Sequence, residues 1–189
     1  MTDTKPLRAD AARNRARILD VADAVFAERG TSASTEEIAK AAGVGIGTVF
    51  RHFPTKEALL EAVFTAHLRR LAEQAEALSE AKDPGEAFFG FFALIVEQSG
   101  AKRAFANALT DAGVDVGRAH AEGAAGLGEA LALLLRRAQE AGAVRDDIGL
   151  PELMAVLIGA SLGAEQAGAD PLVRARALGV VMDGLRPRR

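Results

Sequence analysis

The 189-residue chain is 49% apolar and 26% charged, with a formal net charge of −3 and no cysteine. That length suits one domain, or a small domain joined to a larger one, and the apolar share is enough for a buried core. The missing cysteine excludes disulfides and thiolate metal sites, and no stretch approaches the roughly 18 uninterrupted apolar residues of a membrane span.

The opening MTDTKPLRADAARNR lacks an apolar signal core, so a soluble, cytoplasmic protein is expected. Charge is unevenly placed: residues 1–56 carry nine Lys/Arg against seven Asp/Glu, and the remainder 14 against 19. The basic excess gathers at Arg8, Arg13, Arg15 and Arg17. Such a cluster suits a polyanion, or equally a solvated helix start.

In chain order, Ile18, Leu19, Ala22, Val25 and Phe26 recur at helical spacing and predict a first helix over 9–29, stopped by Gly30. Thr35 is read as the N-cap of a short helix to about Ala42, with Glu36 and Glu37 favoured by the dipole in its first turn. A third helix is expected over Ile46–Phe53. Pro54 ends it, and Thr55 caps the next, which runs to about Leu78. Asp83-Pro84 opens another helix, residues 101–112 form a separate one, and a long one spans 118–141. Pro151 and Pro171 each sit in the first turn of a further helix, where the missing N–H does no harm. The fold expected is all-α, with about nine helices and no strand. RPRR at the end is read as frayed.

Three glycines fall within five positions at Gly43, Gly45 and Gly47, between two short helices. Each glycine inside a helix costs about 1 kcal/mol against alanine, so each asks for a reason. Two short helices around a tight turn, packed on a longer one, describe a helix-turn-helix. There Ala39 is small for a close crossing, Gly43 takes the left-handed turn, and Ile38, Val44 and Val49 fill the core beneath. Gly45 and Gly47 lie where a second helix would meet a DNA groove, and glycine lets backbone approach backbone. The plainer account is a frayed helix start.

GVGIGTVFRHFPTKEALLEAVF, with RILDVADAVFAERG upstream, resembles the DNA-binding signature of the tetracycline-repressor (TetR) family of bacterial transcriptional regulators. The matching positions are Gly43-Val44, Thr48, Val49, Phe50, Arg51, His52, Phe53 and Lys56, within residues 13–64. The resemblance implies that Thr48 and His52 contact phosphates and that Lys56 adds charge at the next helix start. It implies that Thr35 caps its helix and reaches a phosphate, and that Gly45, Ile46 and Phe50 face base edges. Arg17 and Gly47 complete the candidate DNA-binding set. The family's usual tyrosine is Phe50 here, which lacks the phosphate-binding hydroxyl. Ile46 can touch a thymine methyl but cannot read guanine. Arg51 is the one candidate guanine reader, or it points to solvent or phosphate. Specificity is therefore expected to lean on arm contacts and DNA shape.

The division expected is a DNA-binding domain at 9–56, with its helix-turn-helix about 35–53, and a regulatory and dimerisation domain at 57–189. In the larger part, Phe88, Phe89, Phe91 and Phe92 crowd one helix that belongs at a bundle centre. Plain core packing explains them. The resemblance adds a small-molecule pocket, for which Phe64, His67, Leu71, Phe88, Phe92, Phe105, Leu127, Leu131 and Met154 are the candidates, with a largely apolar ligand. His67 and His120 suit a surface position or a polar group of that ligand. Gly159, Ala160, Gly163 and Ala164 repeat small residues four apart, and Leu178 and Val181 follow on the last helix. The resemblance implies that these two helices form a four-helix dimer interface; packing within one chain is the alternative.

No nucleophile elbow, HExxH motif or phosphate loop is present, and three histidines show no metal-ligand spacing. No cofactor, metal or membrane partner is expected, and no enzymatic activity. The reading is a ligand-responsive repressor, homodimeric on double-stranded palindromic operator DNA and released by an apolar small molecule. The helix from Lys56 would be its coupling rod. The alternative is a helical small-molecule- or protein-binding module whose DNA-binding unit no longer functions.

Overall fold

The computed structural model describes residues 4–124, 126–166 and 170–187, with backbone alone at 4–9, 101 and 122. Among the described residues there are nine helices and no strand. They are α1 (Thr4–Arg29), α2 (Thr35–Ala41), α3 (Ile46–His52), α4 (Lys56–Ser79), α5 (Pro84–Asp111), α6 (Val116–Gly123), α7 (Leu127–Glu140), α8 (Leu150–Gln166) and α9 (Pro171–Leu185). Arg188, Arg189 and the Arg8 side chain lie outside the described part.

The expected count of helices holds through two compensating differences. First, α5 runs unbroken where two helices were expected. Gly100 sits on its exposed side with nothing crowding it, and one glycine's propensity loss does not outweigh 28 residues of ladder. Second, the long helix expected over 118–141 is two. Gly126 takes φ +82°, outside the helical region, and starts α7 afresh.

The start of α2 is also shifted. Ser34, not Thr35, is the N-cap: its Oγ accepts from the Glu37 N–H at 3.2 Å, and its own N–H donates to the Glu37 carboxylate at 2.8 Å. This reciprocal pair needs a carboxylate three residues after the cap. Glu37 stands there for Ser34, whereas Ile38 occupies that place for Thr35. The Ser34 N–H, helped by the hydroxyl and by Arg29, holds the Glu37 carboxyl below its ordinary range. With the folded pKa depressed, that stabilisation is present above the unfolded value and lost as pH falls through the folded one. Ser34→Ala should cost about 1 kcal/mol, read as a thermal midpoint lowered by roughly 2–4 °C. An unmoved midpoint would show that the cap holds nothing.

Contacts divide the chain into two units: residues to His67 together with Ala104–Gly123, and Leu68–Arg103 together with Ala124 onward. The two units part within α4 and within α5. In the first unit α1 packs on α2 and α3. Its buried residues include Ile18, Ala22, Phe26, Ile38, Ala39, Val49, Phe53, Leu59, Val63 and Phe64. Phe105 meets Phe26 edge-on at 5.7 Å, and Arg118 of α6 pairs with Glu61 of α4 at 2.5 Å. In the second unit the buried core joins Leu71, Phe88, Phe91, Phe92, Leu131, Leu134, Leu135, Leu153, Leu157 and Leu185.

Candidate nucleic-acid interface

The turn from α2 to α3 is fixed by Gly43, at φ +63°. This left-handed residue lets the Val44 N–H reach back to Ala39 O at 3.0 Å and its own N–H to Lys40 O at 3.2 Å. Those two bonds satisfy carbonyls that a helix end leaves open. Two residues later Gly45 starts α3 without a side-chain cap, and its carbonyl accepts from the Thr48 N–H at 2.8 Å.

The inner side of α3 is held by Val49, wholly buried, and by Phe53 at its C-cap. The Arg15 guanidinium lies 5.1 Å over the Phe53 ring, a cation–π contact that ties α1 to the end of α3. With Val49 anchored, the opposite side faces outward. Ile46 is 36% exposed and Phe50 43% exposed, and Gly45, Gly47 and Arg51 are exposed with them. Thr48 and His52 are half-buried on the flanks. Lys56 is the first residue of α4, and Thr35 the first of α2 rather than its cap. On α1, Arg17 is exposed and donates to Asn14 at 3.3 Å, while Arg13 pairs with Asp10. Seven candidates thus share α3 and its cap, while Arg17, Thr35 and Lys56 belong to neighbouring helices of the same unit.

An amphipathic seven-residue helix after a left-handed turn, its outer side open, is the geometry of a groove-reading element. Comparison with known proteins bears on the same segment. The family model "Bacterial regulatory proteins, tetR family" matches residues 18–63, and "Transcriptional regulator SbtR-like, C-terminal domain" matches 83–187. A TetR transcription regulatory protein from Mycobacterium vanbaalenii is 41% identical, with TM-score 0.78 over 96% of this chain and 99% of that one. The chain belongs to the TetR family. This TetR-family protein is a DNA-binding transcriptional regulator and not an enzyme. The TetR regulator SCO0520 from Streptomyces coelicolor is 35% identical, with TM-score 0.74 over 93% of this chain and 99% of that one. The Escherichia coli K12 regulator UidR is 36% identical over 81 residues, which span 42% of this chain but only 38% of UidR.

The pocket candidates are drawn from both units. Leu71, Phe88, Phe92 and Leu131 join the second unit's core, and Leu127 packs against it. Phe64, His67 and Phe105 belong to the first unit, where Phe105 is taken up by Phe26. Met154 is exposed at the surface of α8. Within the second unit, Phe88, Phe91, Phe92, Ile95, Leu131, Leu153 and Leu157 surround a void of about 10 Å³, the room of one water. Among the described residues no helix is long and apolar enough to cross a membrane.

On α8 and α9 the small-residue stripe splits. Ala160, Ala164, Leu178 and Val181 are half-buried against their own unit's core, whereas Gly159 and Gly163 are exposed. The outward apolar residues are others: Met154, Val156, Ile158 and Leu162 on α8, and Leu172, Val173 and Val180 on α9.

Proposed function

We propose that this regulator is a repressor that binds a palindromic operator as a homodimer and lets go when a largely apolar small molecule enters its second unit. The observation that carries the DNA half is the outer side of α3, where apolar and basic side chains stand in solvent while Val49 locks the inner side. A paired molecule presents two such helices to half-sites one turn apart, about 34–36 Å. The exposed apolar residues of α8 and α9 support pairing, since a monomer rarely leaves so many large side chains in water. UidR is itself named a transcriptional regulator, and Rhodococcus jostii KstR2, 40% identical over 55 residues, a transcriptional repressor.

An apolar ligand suits a core whose void is lined wholly by phenylalanine, leucine and isoleucine. At about 10 Å³ that void admits no organic molecule, so binding there requires those side chains to part. The released conformation would then be the one the ligand prefers. The shift would reach the DNA side through α4, whose first residue is Lys56 and whose Glu61 is held by Arg118 of α6.

Lys56 gives the test. Each phosphate contact contributes about one to the slope of log affinity against log salt. Lys56→Ala should therefore reduce that slope by about one per subunit on duplex DNA. An unchanged slope removes Lys56 from the interface. Absence of any salt-dependent duplex binding by the intact protein removes the proposal, and leaves the helical small-molecule- or protein-binding module in its place.

A further inference from the structure

The outward side of α3 is unusual for a surface meant to meet the most highly charged of polymers. Its two exposed large apolar residues, Ile46 and Phe50, are hydrocarbon only. They stand four residues apart and so lie one above the other on the same face. Between them Gly47 contributes no side chain at all. Arg51 is the one exposed side chain on α3 that can donate to a base edge.

Packing does not require this arrangement. A Cβ placed on Gly45 or Gly47 would meet nothing within 4 Å, and neither glycine has a positive φ. Ile46 and Phe50 do not belong to the buried core either. The buried core therefore demands none of the four residues, and together they leave a shallow apolar notch flanked by two hydrocarbon side chains. In the major groove of DNA the complementary feature is the C5-methyl group of a pyrimidine, the one apolar substituent among the base edges.

We infer that α3 reads pyrimidine C5-methyl groups through Ile46 and Phe50, making these two residues specificity determinants. The inference rests on α3 being the element that enters the groove. It adds a direct contribution to the arm contacts and DNA shape on which the sequence alone led us to rely. Thymine is the ordinary source of that methyl, and 5-methylcytosine presents it at the same ring position.

The test uses intact protein and a pool of duplexes with a random core of about 25 base pairs, enough for two half-sites. Parallel pools are amplified with thymidine, with deoxyuridine, and with deoxyuridine plus 5-methyldeoxycytidine. The thymidine pool should yield a motif with thymines in both half-sites. Replacing one of them by uracil, which removes the methyl and keeps the pairing, should weaken binding about 4-fold, and about 15-fold for one in each half-site. Ile46→Ala or Phe50→Ala should bring the thymine-to-uracil ratio at its own position close to one. Because both side chains lie outside the buried core, either variant should change stability by no more than about 0.5 kcal/mol. A purely structural loss would weaken both duplexes alike and leave the ratio unmoved, which would overturn the assignment. In the third pool, enrichment of 5-methylcytosine at the same positions supports readout of the methyl whatever its base. Continued absence of any preference there, beside thymine preference in the first pool, supports thymine alone. Equal affinity for the selected motif in thymine and uracil form overturns the inference while leaving DNA binding intact. No motif in any pool overturns both.

Discussion

Gly47→Ala should make the free protein more stable and a poorer DNA binder. Alanine fits the backbone of residue 47 and its methyl meets nothing within 4 Å. Replacing glycine under those conditions stabilises by about 0.4–1 kcal/mol, largely by restricting the unfolded chain. The thermal midpoint should rise by roughly 1–4 °C. With α3 in the groove as proposed, the same methyl would stand on the helix's outer side, where backbone and base edges would otherwise meet. An extra methyl forced into a close-packed contact costs about 1–3 kcal/mol, and a two-fold complex meets it twice. Operator affinity should fall at least about tenfold. Calorimetry beside a binding titration on one preparation reads both effects. A variant that is more stable yet binds as well as the parent would return Gly45 and Gly47 to the plainer account of a loosely wound helix start.

The second large effect is expected at the exposed faces of α8 and α9. Ile158 is 55% exposed and Val180 73% exposed. In a lone chain, Ile158→Asp or Val180→Asp would place a carboxylate in water, and stability should stay within about 0.5 kcal/mol. In a paired molecule the same carboxylate is buried without a partner, at a cost of several kcal/mol for each copy. Sedimentation should then show the parent as a dimer and the variants as single chains. Specific operator binding should drop by two orders of magnitude or more, because one half-site alone must hold the protein. A parent that sediments as a single chain, or variants that remain paired, would place the partner surface elsewhere.

These expectations depend on unequal legibility along the chain. The helix-turn-helix was readable because its requirements are local: a left-handed residue at Gly43, a small one at Ala39 and an inward Val49 at fixed offsets. The cap of α2 was also written in the sequence, since only Ser34 has a carboxylate three residues on, but neighbouring Ser and Thr make such starts easy to misplace by one. The glycines of EGAAGLG signalled weakness, yet whether they bend or break a helix depends on the φ adopted at Gly126, which is +82°. Gly100 carries the same residue type within α5 and breaks nothing. On α8 the run LMAVLIGASLGA is apolar all round, so no period separates the inner side from the outer. The small-residue repeat accordingly pointed to Gly159, Ala160, Gly163 and Ala164, of which the glycines are exposed and the alanines half-buried, and passed over the exposed Ile158 and Leu162.

The first unit is assembled from two stretches of chain that lie far apart in sequence, and this bears on any attempt to transplant its reading head. A fragment cut after His67 would retain every residue of α3. It would also strip Phe26 of Phe105, Phe64 of the neighbouring His120 ring, and Glu61 of Arg118. Chimeric regulators spliced at the edge of the signature would thus inherit its letters without the hydrophobic floor under them. A graft that carries Ala104–Gly123 along as well brings its own foundation.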